Sequence, residues 1–104
     1  MVAPLVNRHR EEIAELCRRY HVRRLDVFGS AARGDFDVEH SDVDFLVVEA
    51  DWSANESAWA FLDFRDELRR IIGRDVDLID ESGIRSRYAK QEIDASRERF
   101  IGEA

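Results

Sequence analysis

Two short runs constrain this chain more than anything else in it: Gly29-Ser30-Ala31-Ala32-Arg33-Gly34-Asp35, and Ser41-Asp42-Val43-Asp44 leading into Phe45-Leu46-Val47-Val48. The first follows an apolar run, Leu25-Asp26-Val27-Phe28, that reads as a buried strand. A Gly-Ser turn at its end leaves backbone N–H groups free to face an anion. The second run enters another strand, and strand side chains alternate between faces, so Asp42 and Asp44 point the same way. Their Cα atoms are then roughly 7 Å apart. Two carboxylates aimed at one place repel unless a cation lies between them, and hard oxygen ligands suit Mg²⁺ held jointly with substrate phosphates. A phosphate-facing turn beside a carboxylate pair implies chemistry on a nucleoside triphosphate. No Gly-x-x-x-x-Gly-Lys-Ser/Thr run is present, which disfavours a P-loop NTPase.

These residues resemble the minimal nucleotidyltransferases of the DNA polymerase β-like superfamily. Gly-Ser-x-Ala-Arg-Gly-Asp followed by Ser-Asp-x-Asp is the pattern of its small members, many of which are antitoxins paired with a HEPN-domain toxin. The resemblance implies an α/β fold with a small mixed sheet and flanking helices, one domain over residues 1–104. It assigns Gly29, Ser30 and the backbone around them to the triphosphate, and makes Arg33 a phosphate contact or, equally, an ion-pair partner of Asp35. It implies that Asp42 and Asp44 hold Mg²⁺, two ions in all, and that an acid on a later strand completes the set. In Asp75-Val76-Asp77-Leu78-Ile79 that acid is Asp77, with Asp75 and Asp80 as alternatives. The activity implied is transfer of AMP from ATP to a hydroxyl of a cognate HEPN ribonuclease toxin, a tyrosine in the leading reading, within a hetero-oligomer. Transfer to a small molecule such as an antibiotic, and neutralisation of a toxin by binding alone, are the other two readings.

The remaining sequence supplies the scaffold. Leu5, His9, Ile13, Leu16, Cys17 and Tyr20 recur at helical spacing and predict one helix over residues 4–19, with His9 and Cys17 as packing residues. A basic cluster, Arg18 to Arg24, follows; it reads as a solvated corner, or else as a contact surface. Trp52 is expected to pack back from a polar loop, and a helix is expected from about residue 56 to 72, closed by Gly73. The spacing of Ala89, Ile93, Ser96 and Phe100 predicts a last helix over residues 86–100. His40 is taken as a surface residue.

Charge narrows the partners. With 16 Lys and Arg against 23 Asp and Glu the net charge is -7, which opposes direct nucleic-acid binding and suits a more basic protein partner. One cysteine allows no internal disulfide, and no stretch is long and apolar enough to cross a membrane, so a cytoplasmic location is expected.

Overall fold

β1 (Val22–Phe28) and β2 (Val43–Ala50) form the middle of a four-stranded sheet in the computed structural model, which describes residues 1–102. β3 (Val76–Asp80) lies outside β2, and β4 (Glu98–Ile101) outside β1. β1 runs antiparallel to β2 and β4, whereas β2 and β3 are parallel, so the sheet is mixed, as the resemblance implied.

Alternation along the strands divides the sheet into two unlike faces. Leu25 and Val27, Val43, Phe45 and Val47, and Val76 and Leu78 share one buried cluster with residues of α2 (Arg10–Tyr20) and α4 (Ala60–Ile72). Ile13, Leu16 and Cys17 come from α2, and Phe64, Leu68, Ile71 and Ile72 from α4. Each helix presents them every third or fourth residue, one stripe toward the sheet. The opposite face carries Asp26, Asp44, Leu46 and Asp77, and on it α5 (Arg87–Asp94) is tied down through the residues that follow it. Leu46 is fully buried yet stands outside the main cluster.

Three helix expectations need correction, the third being the start of α4 described below. The first helix is two: α1 (Pro4–Asn7) and α2, separated at Arg8–His9, where His9 N–H donates to the Val6 carbonyl three residues back and tightens the chain. His9 sits there half-buried beside Glu12. The last helix stops at Asp94, and Glu98–Ile101 pairs with β1 as a strand. Phe100 points into the core, 3% exposed, with its ring 6.2 Å from that of Phe45. Its helical spacing from Ile93 was coincidental.

The long loop before α4 folds as the packing argument expects. Trp52 starts a 3-10 turn, meets Phe61 and Phe64 edge to face at 5.4 and 5.9 Å, and donates its indole N–H to Asp80 Oδ2 at 2.9 Å. α4 begins at Ala60 rather than residue 56, which leaves Trp59 exposed. Gly73 closes α4 in the left-handed conformation.

Candidate active site

β1 ends at Phe28, and Gly29 turns the chain into α3 (Ser30–Arg33) with φ 68° and ψ −151°. That combination is essentially open to glycine alone. Ala32 and Arg33 N–H groups both return to the Gly29 carbonyl, and Gly34 ends the single turn. Among the described residues the Ser30 and Ala31 N–H groups have no hydrogen-bond partner, as expected for the first turn of a helix. Ala31 is fully buried and Ser30 partly exposed, so the Ser30 N–H is a free donor of the kind expected of the Gly-Ser turn. The Gly29 N–H is not free: it donates to Ser96 Oγ at 2.8 Å.

Asp44 sits on β2 beside this turn. A Cβ placed on Gly29 would fall 2.3 Å from Asp44 Oδ2, so the carboxylate lies directly against the glycine. Asp42 precedes β2 by one residue and shares the parity of Asp44. In the parallel ladder Asp77 is the register partner of Asp44, so the two stand side by side on neighbouring strands, about 5 Å apart at the backbone. The Asp44 carboxyl is pushed up to about 6, first by its partial burial, then by the charges of Asp77 and Asp42, with Arg33 pulling the other way. Four of the residues singled out from the sequence thus share one field.

Of the two alternatives for the third acid, Asp80 goes elsewhere, while Asp75 keeps the parity of Asp77. Asp80 lies on the opposite parity, accepts the Trp52 indole N–H, and caps the following turn through Ser82. Asp75 is exposed, before β3 begins, and its backbone carbonyl bonds Val43. Arg33 pairs with Asp35 at 3.4 Å and remains exposed. The basic cluster is paired off: Arg18 with Glu15, Arg19 with Glu67, Arg23 with Glu49 and Arg24 with Asp26. His40 is an exposed surface residue bonded to Asp37.

Among the described residues no three His, Cys, Asp or Glu side chains close around a common point. Asp42 and Asp77 are exposed, and Asp44 is half-buried between them and the turn. The donor set fits Mg²⁺: carboxylate oxygens only, from the entrance of β2 and the neighbouring position on β3, beside the Gly29–Ser30 turn. A cavity of about 740 Å³ lies elsewhere, between α2 and the end of β4, lined by Arg10, Cys17, Arg23 and Phe100 among others.

Two features escaped the sequence reading. Asp26, on the same face as Asp44, is 1% exposed and bonded by Arg24 at 3.0 Å and Arg97 at 2.9 Å. Arg97 also reaches Glu81 and Asp94. The charge at position 26 inside an apolar strand was the available signal, since such a group requires a partner.

A mixed sheet with a Gly-Ser turn after its first strand and carboxylates where its second and third run side by side defines a nucleotide-transferring α/β domain. Residues 9–100 match the family described as nucleotidyltransferase domain, and the chain belongs to that family. The protein adenylyltransferase MntA of Thermococcus cleftensis is 35% identical over 89 residues, spanning 86% of this chain and 83% of that protein. A crystal structure of a toxin–antitoxin with AMP-PNP matches with a TM-score of 0.70 at 24% identity, over 90% of this chain and 73% of the other. A tri-AMPylated Shewanella oneidensis HEPN toxin in complex with MNT antitoxin matches with a TM-score of 0.65 at 21% identity, over 94% and 73%. Both structural likenesses concern the fold. No helix among the described residues is long and apolar enough to cross a membrane.

Proposed function

We propose that this chain transfers AMP from ATP to a tyrosine hydroxyl of a cognate HEPN-domain toxin and serves as its antitoxin. The observation that carries the reading is the register pairing of Asp44 with Asp77 beside the Gly29–Ser30 turn, in a chain 35% identical to a protein adenylyltransferase. Gly29, Ser30 and Arg33 hold the terminal phosphates of ATP, the turn through its free Ser30 N–H and Arg33 through its guanidinium. Asp42, Asp44 and Asp77 hold Mg²⁺, which when bound neutralises charge building on the α-phosphate and the leaving pyrophosphate. The acceptor oxygen attacks the α-phosphorus, the bond to the bridging oxygen breaks, and pyrophosphate departs. Asp77 takes the hydroxyl proton.

The exposure of Asp42 and Asp77 supports a macromolecular acceptor. A docked protein brings its own hydroxyl into line. The net charge of -7 suits a basic surface on that partner.

The test is incubation with Mg²⁺, ATP and the neighbouring gene's product, followed by intact-mass measurement and peptide mapping. The expected result is a gain of one or more adenylyl groups on a tyrosine of the partner. No gain, from a folded chain that binds ATP, contradicts the reading. Replacing Asp42 and Asp44 together with Asn separates transfer from neutralisation by contact: under the proposal, protection against the toxin is lost while the complex still forms.

A further inference from the structure

Gly29 is held from two sides. Its Cα lies against the Asp44 carboxylate, and its N–H donates to Ser96 Oγ at 2.8 Å across 67 residues of chain. Ser96 occupies the short bend between α5 and β4, where its own N–H is satisfied by the Ile93 carbonyl. The next residue, Arg97, anchors that bend to buried Asp26 on β1 at 2.9 Å, and to Asp94 at 3.0 Å. The hydroxyl is therefore presented from a fixed support to the peptide that joins Phe28 to Gly29.

We infer that Ser96 is a positioning residue of the nucleotide turn. By accepting the Gly29 N–H it locks the Phe28–Gly29 peptide. The Ser30 N–H, with no partner of its own among the described residues, is then held in one orientation. The inference rests on the reading of Gly29–Ser30 as the triphosphate turn. Without the Ser96 oxygen, Gly29, free to visit much of φ/ψ space, lets the turn drift before the nucleotide arrives, and binding must then order it.

Three variants of the full chain test this: Ser96→Thr keeps an oxygen, while Ser96→Val and Ser96→Ala remove it. Affinity for AMP-PNP with Mg²⁺ is measured by calorimetry, and exchange of the Gly29 amide by NMR. The Val and Ala variants are expected to bind AMP-PNP about tenfold more weakly and to exchange the Gly29 amide about tenfold faster, the scale of one hydrogen bond lost. Ser96→Thr should stay within about twofold of the wild type in both. In turnover the loss falls on KM for ATP, with kcat nearly unchanged. A folded Ser96→Val variant with wild-type AMP-PNP affinity overturns the inference; if it does not fold, Ser96→Ala is read in the same way. Failure of the wild-type chain to bind AMP-PNP overturns instead the reading of the turn on which the inference stands.

Discussion

The Asp44 carboxylate rests on the bare Cα of Gly29, so that a methyl group there would come within 2.3 Å of Oδ2. The contact joins the two motifs that are separated in sequence by a loop, and it explains why this turn needs glycine twice over: for its backbone angles and for its missing side chain.

Gly29→Ala therefore separates activity from stability. The strained φ of 68° with ψ −151° costs about 1–3 kcal/mol. The clash itself is relieved when Asp44, a flexible side chain, swings away, and this removes the carboxylate from its place beside Asp77. Misplacement on the scale of 1 Å costs about 100-fold in rate. The expected outcome is a folded protein, by circular dichroism and urea titration, whose adenylyl transfer has fallen about 100-fold or more.

Asp44 also makes stability depend on pH. Its pKa is raised to about 6, so the folded state holds a proton there that the unfolded state releases near the ordinary carboxylate value. Its protonated form favours folding. That contribution is fully present below about pH 4 and is lost as pH rises through about 6. Asp44→Asn, which stays neutral, should raise Tm over the wild type at pH 8 and leave it unchanged near pH 4. Added Mg²⁺ should stabilise the wild type at pH 8, an effect fading below about pH 6 as the proton displaces the cation.

Asp26 tests the support beneath the site. It is 1% exposed and shared between Arg24 and Arg97. Removing one member of a buried ionic group leaves its partners uncompensated, at a cost of about 3 kcal/mol. Asp26→Ala should lower the free energy of unfolding in urea by about that amount. Arg18→Ala, which breaks an exposed pair, should change it by less than about 1 kcal/mol.

What was legible in the sequence was local. The Gly-Ser turn, the Asp-x-Asp entrance and the apolar runs of β1, β2 and β3 each carry their signal within a few residues, and the parity of Asp42 and Asp44 follows from strand geometry alone. Naming Asp77 ahead of Asp75 and Asp80 drew on resemblance; the register that puts Asp77 opposite Asp44 pairs residues 33 positions apart in the chain. β4 was missed for a related reason. Glu98–Ile101 is four residues long, and its strand character comes from the free edge of β1, which no local window contains. Ser96 and Arg97 were read as positions on a helix, while their partners, Gly29 and Asp26, lie at the other end of the sequence.

The most direct measurement of the central claim compares four single substitutions, Asp42→Asn, Asp44→Asn, Asp77→Asn and Asp75→Asn, for Mg²⁺-dependent binding of AMP-PNP and for adenylyl transfer to the partner. The first three are expected to lose the Mg²⁺-dependent part of binding and to fall by about 100-fold or more in transfer, as a site that acts through charge placed on the phosphates requires. Asp75→Asn should retain both. Wild-type binding and transfer by a folded Asp77→Asn variant would contradict the account.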